Sequence, residues 1–108
     1  MRRLINAVLC SGLLFVGATF AADEQVVQQF SANGSRTTRP FTVQDGWEVR
    51  WTAEKSIGLF AVNGKGEAVA EIGSSSAGMG SSYQAKGGTF SIQIMSAGKW
   101  TIAVVQLP

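Results

Sequence analysis

The chain contains no histidine, and its one cysteine, Cys10, lies in an N-terminal segment with the pattern of a secretory signal peptide. This segment opens with the basic start MRR, continues with the uncharged apolar run LINAVLCSGLLFVGATF, and ends in small residues before ADE. We therefore predict a signal peptide over residues 1–21, cleaved after Ala21, and a mature chain over residues 22–108. The alternative is an uncleaved membrane anchor, since an apolar run of about 17 residues approaches the roughly 20 that span a bilayer.

Without cysteine and histidine, the predicted mature chain can form no disulfide, no thiolate or imidazole metal site, and no triad of serine or cysteine with histidine. Calcium binding is also disfavoured, because Asp23 and Asp45 are the only aspartates and no acidic residues cluster in an EF-hand-like loop. A serine-lysine pair and the carboxylates of Glu67 and Glu71 remain as catalytic candidates, but neither has a suitable spacing. We therefore predict a protein that is not an enzyme, with no catalytic residue, no cofactor and no metal.

The predicted mature chain also lacks an excess of either charge. Removing Arg2 and Arg3 with the signal peptide leaves seven basic and seven acidic residues, interspersed along the sequence. Such a chain offers no positive surface to attract nucleic acids or anionic membranes. We therefore predict no nucleic-acid partner and no stable membrane insertion after cleavage, and we expect a periplasmic or extracellular (secreted) bacterial protein.

The mature chain does contain a two-residue alternation of apolar and polar side chains, which is typical of half-buried strands. In GWEVRWT two tryptophans and a valine alternate with polar residues, and GTFSIQI and KWTIAVV repeat the pattern. The stretch NGKG between two apolar runs predicts a hairpin whose turn is Asn63-Gly64, or a longer loop through Gly66. With no convincing helix, repeat or linker, residues 22–108 are predicted to form a single all-β domain. We expect a small antiparallel β-sandwich, jelly-roll-like, of about six to eight strands.

One segment interrupts this alternation. GSSSAGMGSSY, from Gly73 to Tyr83, is rich in glycine and serine and has few side chains to bury and much entropy to lose on ordering. We predict a mobile loop here, in which Met79 and Tyr83 are available to contact a partner. The alternative is a flexible connection without a role.

The stretches GSRTTRPFTV, GWEVRWTAE, GGTFSIQI and GKWTIAVVQ occur in an order that resembles a group of small secreted bacterial β-sandwich domains of largely unknown function. More distantly, the chain is similar to the jelly-roll domains at the C-termini of secreted peptidases. The likeness spans about Gly34 to Gln106. It implies a β-sandwich fold and supplies no catalytic residue. Members of the group often have cysteines in the middle strands, and this chain departs from them in having none there.

Binding is the function class that these residues favour, and five of them are candidate contacts for a partner: Met79, Tyr83, Trp47, Arg36 and Arg39. The arginines could pair with a carboxylate or phosphate, or deter strand-to-strand aggregation at a sheet edge. Trp47 could lie at the rim of the domain and meet a ligand, or lie in the core, since a small domain needs its rings inside.

We therefore predict a module that binds an unknown protein, as an inhibitor, an immunity factor or an accessory factor of the envelope. The alternative is glycan or cell-wall binding through an exposed aromatic side chain.

Overall fold

The computed structural model describes residues 23–108, so the predictions made on residues 1–21 lie outside the described residues. Within this part of the chain the secondary structure consists of strands, and no helix has the length and apolarity that a membrane span needs. In chain order the strands are β1 (Gln25–Asn33), β2 (Arg36–Thr37), β3 (Phe41–Val43), β4 (Trp47–Ala53), β5 (Ile57–Val62), β6 (Ala68–Ser75), β7 (Gly78–Gln84), β8 (Gly88–Ser96) and β9 (Lys99–Gln106).

The strands form two antiparallel sheets, here called sheet A and sheet B. Sheet A has the order β1-β9-β4-β7, and sheet B has the order β2-β8-β5-β6 with β3 also paired to β8. The pairs nest along the chain, because β1 pairs with β9, β4 with β7 and the consecutive strands β5 and β6 with each other. This is the strand order of a jelly roll, if β2 and β3 count as one strand interrupted before Phe41 by Pro40. The predicted β-sandwich is confirmed, with nine strands where about six to eight were expected.

The core lies between the sheets and is built from alternate residues of each strand. Trp47, Val49 and Trp51 of β4 are buried, whereas the residues between them are partly exposed. The other buried members of the same cluster are Phe41, Val43, Ala53, Ile57, Leu59, Ala61, Ile72, Ile92, Ile94, Trp100, Ile102 and Val104. Because the described residues include no cysteine, this packing stabilises the domain without disulfides.

Strand β9 is buried on both faces. It lies between β1 and β4, and Ala103 and Val105 on its outer face have no solvent exposure. Their direct neighbours on β4 are Arg50 and Glu48, and long charged side chains of this kind cover smaller apolar neighbours. Ion pairs join Arg50 to Glu24 at 2.9 Å and to Glu48 at 2.6 Å. Burial lowers the pKa of Arg50, but the bonds and charges of the two carboxylates outweigh it and raise the pKa overall.

The β5–β6 connection follows the longer of the two predicted turns. Asn63 C=O accepts a hydrogen bond from Gly66 N at 3.0 Å, and Asn63 Oδ1 accepts from the backbone nitrogens of Lys65 and Glu67. Gly66 has a φ of +81°, a conformation that glycine adopts without steric cost. The left-handed residue of this turn is therefore Gly66, at the end of the loop.

The segment from Gly73 to Tyr83 is not the mobile loop that its composition predicts. It forms the end of β6 and most of β7, and the two strands are joined by a short turn at Ser76 and Ala77. Strand β7 pairs with β4 in an unbroken register of seven residues. The prediction of a loop was therefore wrong.

The position of Trp51 explains why this segment is rich in small residues. A Cβ on Gly73 would lie 3.0 Å from the indole, and a Cβ on Gly80 would overlap the ring. Trp51 Nε1 also donates a hydrogen bond to Ser75 Oγ at 3.0 Å. Strands β6 and β7 can pass over the indole only with small side chains, so glycine and serine here allow close packing.

Candidate functional site

The three tryptophans lie in the core and present no ring face to solvent. Trp47 is 1% exposed, and Trp51 and Trp100 are each 4% exposed. The indole N–H of Trp47 donates to Lys86 O at 2.7 Å, and that of Trp100 donates to Gly34 O at 2.7 Å. Buried indoles whose N–H groups are satisfied in this way serve packing.

Trp47, one of the five predicted contacts, is therefore a core residue. Its ring stacks on Phe90 with centroids 5.5 Å apart, and it meets the ring of Phe41 edge-on with centroids 5.7 Å apart. These three rings close one end of the core. A ligand at the surface cannot reach the face of Trp47, which removes it from the candidate site.

Met79 and Tyr83 are exposed, although they lie on a strand. They are 63% and 61% exposed and stand on the outer face of sheet A, separated by Ser81. Their cross-strand neighbours on β4 are Thr52 and Glu48. Since β7 is an edge strand of sheet A, these side chains and the free edge beside them are fixed in position by the sheet.

Arg36 and Arg39 lie on the opposite flank of the sandwich, where a groove of about 500 Å³ runs between β1 and the segment of β2. We call it the arginine groove. Phe30, Ala32 and Trp100 contribute its apolar lining, and Gln29, Arg36 and Arg39 are among its polar residues.

Both arginines are exposed, and neither forms an ion pair with any residue in 23–108. The described ion pairs all belong to Arg50. Two guanidinium groups beside one groove, without an acidic partner, leave ten N–H donors for a ligand if each contributes its five.

The segment that carries the arginines is held in place by the neighbouring strand. Thr38 N donates to Ile92 O at 2.9 Å, and Thr38 Oγ1 accepts from Ile92 N at 3.0 Å. On the other side, Trp100 is tied to Gly34 through its indole N–H. The groove is therefore a formed feature of the fold with a defined backbone.

A second groove of about 640 Å³ crosses the end of sheet A. Ala32, Ala53, Met79 and Trp100 give it an apolar lining, and Glu54 and Lys99 lie among its polar residues. It shares Ala32 and Trp100 with the arginine groove. Its charged residues are one of each sign, so its electrostatics favour neither an anion nor a cation.

Within residues 23–108, no three acidic, cysteine or histidine side chains lie close enough together to hold a metal ion. The exposed side chains described above carry guanidinium, carboxylate, ammonium, phenol, thioether and amide groups, which can donate or accept hydrogen bonds, form ion pairs or pack.

Comparison with models of protein families, with curated proteins and with solved structures gives no match to this chain. The resemblance to small secreted β-sandwich domains and to peptidase jelly-roll domains therefore stays a prediction. Function has to be inferred from the geometry of the described residues.

The sequence pointed to Arg36 and Arg39 but not to the groove beside them. Phe30 and Trp100 line the same groove as these arginines because β1 pairs with β9, at opposite ends of the chain. No local pattern marks such a pairing. The one local signal was the interruption of the strand at Pro40, which predicts an edge or a bend close to both arginines.

Proposed function

We propose that this chain is a non-enzymatic binding module whose partner is a protein, and that the arginine groove is its binding site. The observation that carries the proposal is the pair of exposed arginines, Arg36 and Arg39, without an acidic partner among the described residues. The setting we propose is the periplasm or the extracellular space, which depends on the signal peptide predicted for residues 1–21. An inhibitor, an immunity factor or an envelope accessory factor would each act through such a site.

The distribution of charge favours an acidic ligand. The chain from Gln25 to Gln44 and again from Ile72 to Pro108 contains no aspartate or glutamate. Strands β1, β2, β3, β8 and β9 all fall within these two stretches. Although the predicted mature chain is neutral, the flank around the groove is therefore positive, which attracts and orients an acidic partner.

The shape of the groove favours an extended segment with alternating side chains. Carboxylates can pair with the planar guanidinium forks of Arg36 and Arg39. Apolar side chains on the same segment can pack on Phe30, which lines the groove and is partly exposed. A protein segment combines both kinds of group, so we propose an acidic, extended stretch of a partner protein as the ligand.

The glycan alternative has weaker support. It needs an exposed aromatic ring, and Trp47, Trp51 and Trp100 are all buried. Tyr83 is exposed, but it lies on β7, on the other flank from the arginine groove. A glycan site would therefore depend on Tyr83 without help from the arginines.

The test is a calorimetric titration of the purified protein with a short, β-prone peptide that carries two glutamates, beside the same peptide with glutamines. We expect the acidic peptide to bind and the neutral one to bind at least tenfold more weakly, about 1.4 kcal/mol. The double variant Arg36→Gln/Arg39→Gln should lose the preference. Lys65→Gln is the matched control, because it removes an exposed cation from the β5–β6 turn.

Equal affinity for the two peptides, or unchanged binding by the double variant, would contradict the proposal. Binding of cell-wall oligosaccharides that depends on Tyr83 and not on the arginines would favour the glycan alternative. Denaturant unfolding of each variant checks that the fold is intact.

A further inference from the structure

The two sheets have four edge strands, and three of them carry features that discourage pairing with another strand. On one flank, β1 has a register shift between Val26 and Gln28, and the adjacent edge is split into the short strands β2 and β3 by a segment containing Arg39 and Pro40. On the other flank, β6 has two register shifts and an exposed Glu71. Bulges, short strands, proline and charge are the usual protections of a sheet edge.

Strand β7 has none of these protections. Its seven residues pair with β4 without a register shift. The sequence from Ile72 to Ala85 contains no charged residue and no proline. Met79 and Tyr83 stand exposed beside the free edge. An edge that is regular, uncharged and flanked by apolar side chains is the geometry that accepts another strand.

We propose that β7 pairs with β7 of a second copy of this chain, so that the two copies of sheet A form one continuous eight-stranded sheet. An antiparallel pairing centred on Ser81 uses the whole strand and is self-complementary, as a two-fold interface requires. Ser81 then lies opposite Ser81 of the second copy, and Met79 lies opposite its Tyr83. This inference does not depend on the arginine groove, which lies on the other flank.

The side chains on the outer face fit this register. Met79, Ser81 and Tyr83 all point to the outer face of sheet A, because their partners on β4 are Thr52, Arg50 and Glu48. In the proposed pairing each exposed methionine meets an exposed tyrosine at a cross-strand distance of about 5 Å. Thioether and aromatic groups attract one another at this separation, and both residue types are enriched at interfaces.

The inner face of β7 also accommodates a second strand. Gly80 and Ser82 lie opposite each other in the proposed pairing, and both side chains are small. Trp51 already fills the space beneath Gly80, so nothing large has to move when the second copy arrives.

Charges at the two ends of β7 complement each other across the two-fold axis. Glu54 follows β4 next to the start of β7, since Ala53 pairs with Gly78. Lys86 follows the end of β7 by two residues. Antiparallel pairing therefore brings Glu54 of each copy to the end where Lys86 of the other copy lies. Neither residue has an ion pair within the described part of the chain.

The size of the interface predicts a reversible dimer. A strand of seven residues is roughly 24 Å long, and one pair of strands with six outer-face side chains falls short of the roughly 1,000 Å² of a stable interface. The dimer should therefore form with rising protein concentration and dissociate on dilution.

The first test is sedimentation velocity of the purified protein over a wide range of concentration. We expect the weight-average mass to rise from monomer towards dimer. Ser81→Lys places two cations opposite each other on the axis and should raise the dissociation constant at least tenfold. Gln93→Lys, which adds the same charge at an exposed position on sheet B, should leave it unchanged. The double variant Arg36→Gln/Arg39→Gln should also dimerise normally, which separates this proposal from the proposed function.

The second test is a cysteine cross-link in a Cys10→Ser background. Ser81→Cys should form a disulfide-linked dimer on mild oxidation, because directly opposed residues of antiparallel strands lie within the Cα separations that disulfides span. Gln93→Cys should not. A protein that stays monomeric at every concentration would overturn the proposal, and so would a dimer that Ser81→Lys leaves intact.

Discussion

The two open flanks of the sandwich are built in opposite ways. The flank of β1 and β2 is positive, irregular and grooved, with Arg36 and Arg39 exposed and a register shift in β1. The flank of β6 and β7 is uncharged from Ile72 to Ala85, and β7 runs in perfect register with β4. The same fold thus discourages strand pairing on one side while offering charged side chains, and presents a bare backbone edge on the other.

This difference has a structural origin in the two tryptophans that line the flanks. Trp51 lies beneath β6 and β7 and permits only small residues at the positions that face its ring, Gly73 and Gly80. Trp100 donates to Gly34 O and lines the arginine groove, where neighbouring positions accept long side chains. One buried ring therefore requires glycine in the strands that pass over it, and the other lies beside a groove with exposed arginines.

Removing the Trp51 ring should cause the largest loss of stability, and it should loosen the β6–β7 flank more than the β1–β2 flank. Trp51→Ala creates a cavity beneath Gly73 and Gly80 and leaves Ser75 without its indole donor. A change of this kind costs about 3–5 kcal/mol of the free energy of unfolding. Urea denaturation measures the loss, and hydrogen exchange should become faster in β6 and β7 than in β1.

Two controls make that result specific. Tyr83→Ala removes an exposed ring from the same flank and should change stability by no more than about 0.5 kcal/mol. The double variant Arg36→Gln/Arg39→Gln should change stability as little as Tyr83→Ala does, since both arginine side chains are exposed. Uniformly faster exchange in Trp51→Ala, with β1 and β7 affected alike, would show that the two flanks are not independently supported.

The outcome for the Gly73 to Tyr83 segment shows how far composition predicts structure. Alternation predicted the strands and the sandwich, because a half-buried strand must place apolar residues at every second position. Composition failed for this segment, since glycine and serine are also required where a backbone passes over a large buried ring. The sequence contains Trp51, but which strands lie over it depends on the pairing of β4 with β7. The arginine groove was missed for the same reason, since Phe30 and Trp100 are distant in sequence.

A smaller loss of stability is expected from adding a methyl group at Gly80, which lies against the Trp51 ring. Gly80→Ala places a methyl group into the Trp51 indole, and overpacking of this kind costs about 1–3 kcal/mol of the free energy of unfolding. Gly64→Ala is the matched control, because nothing lies within 4 Å of a Cβ at that position. Denaturant unfolding of the pair compares the same chemical change in the two places. Equal stability of the two variants would mean that the glycines of β7 are not required by Trp51.

The smallest effect is expected from changing the charged residues near the ends of β7, Glu54 and Lys86, and it should appear in the dissociation constant of the proposed dimer. In the proposed dimer Glu54 of each copy lies near Lys86 of the other, and an exposed ion pair of this kind contributes about 0.2–1 kcal/mol. The two-fold axis creates two such pairs, so Glu54→Lys should weaken dimerisation by roughly 2- to 30-fold, and Glu54→Lys/Lys86→Glu should restore it. Glu67→Lys, with the same change in net charge in the β5–β6 turn, should have no effect. The register centred on Ser81 brings Glu54 and Lys86 of different copies together. If Glu54→Lys/Lys86→Glu fails to restore dimerisation, that register is wrong, even if the wild-type protein forms a dimer.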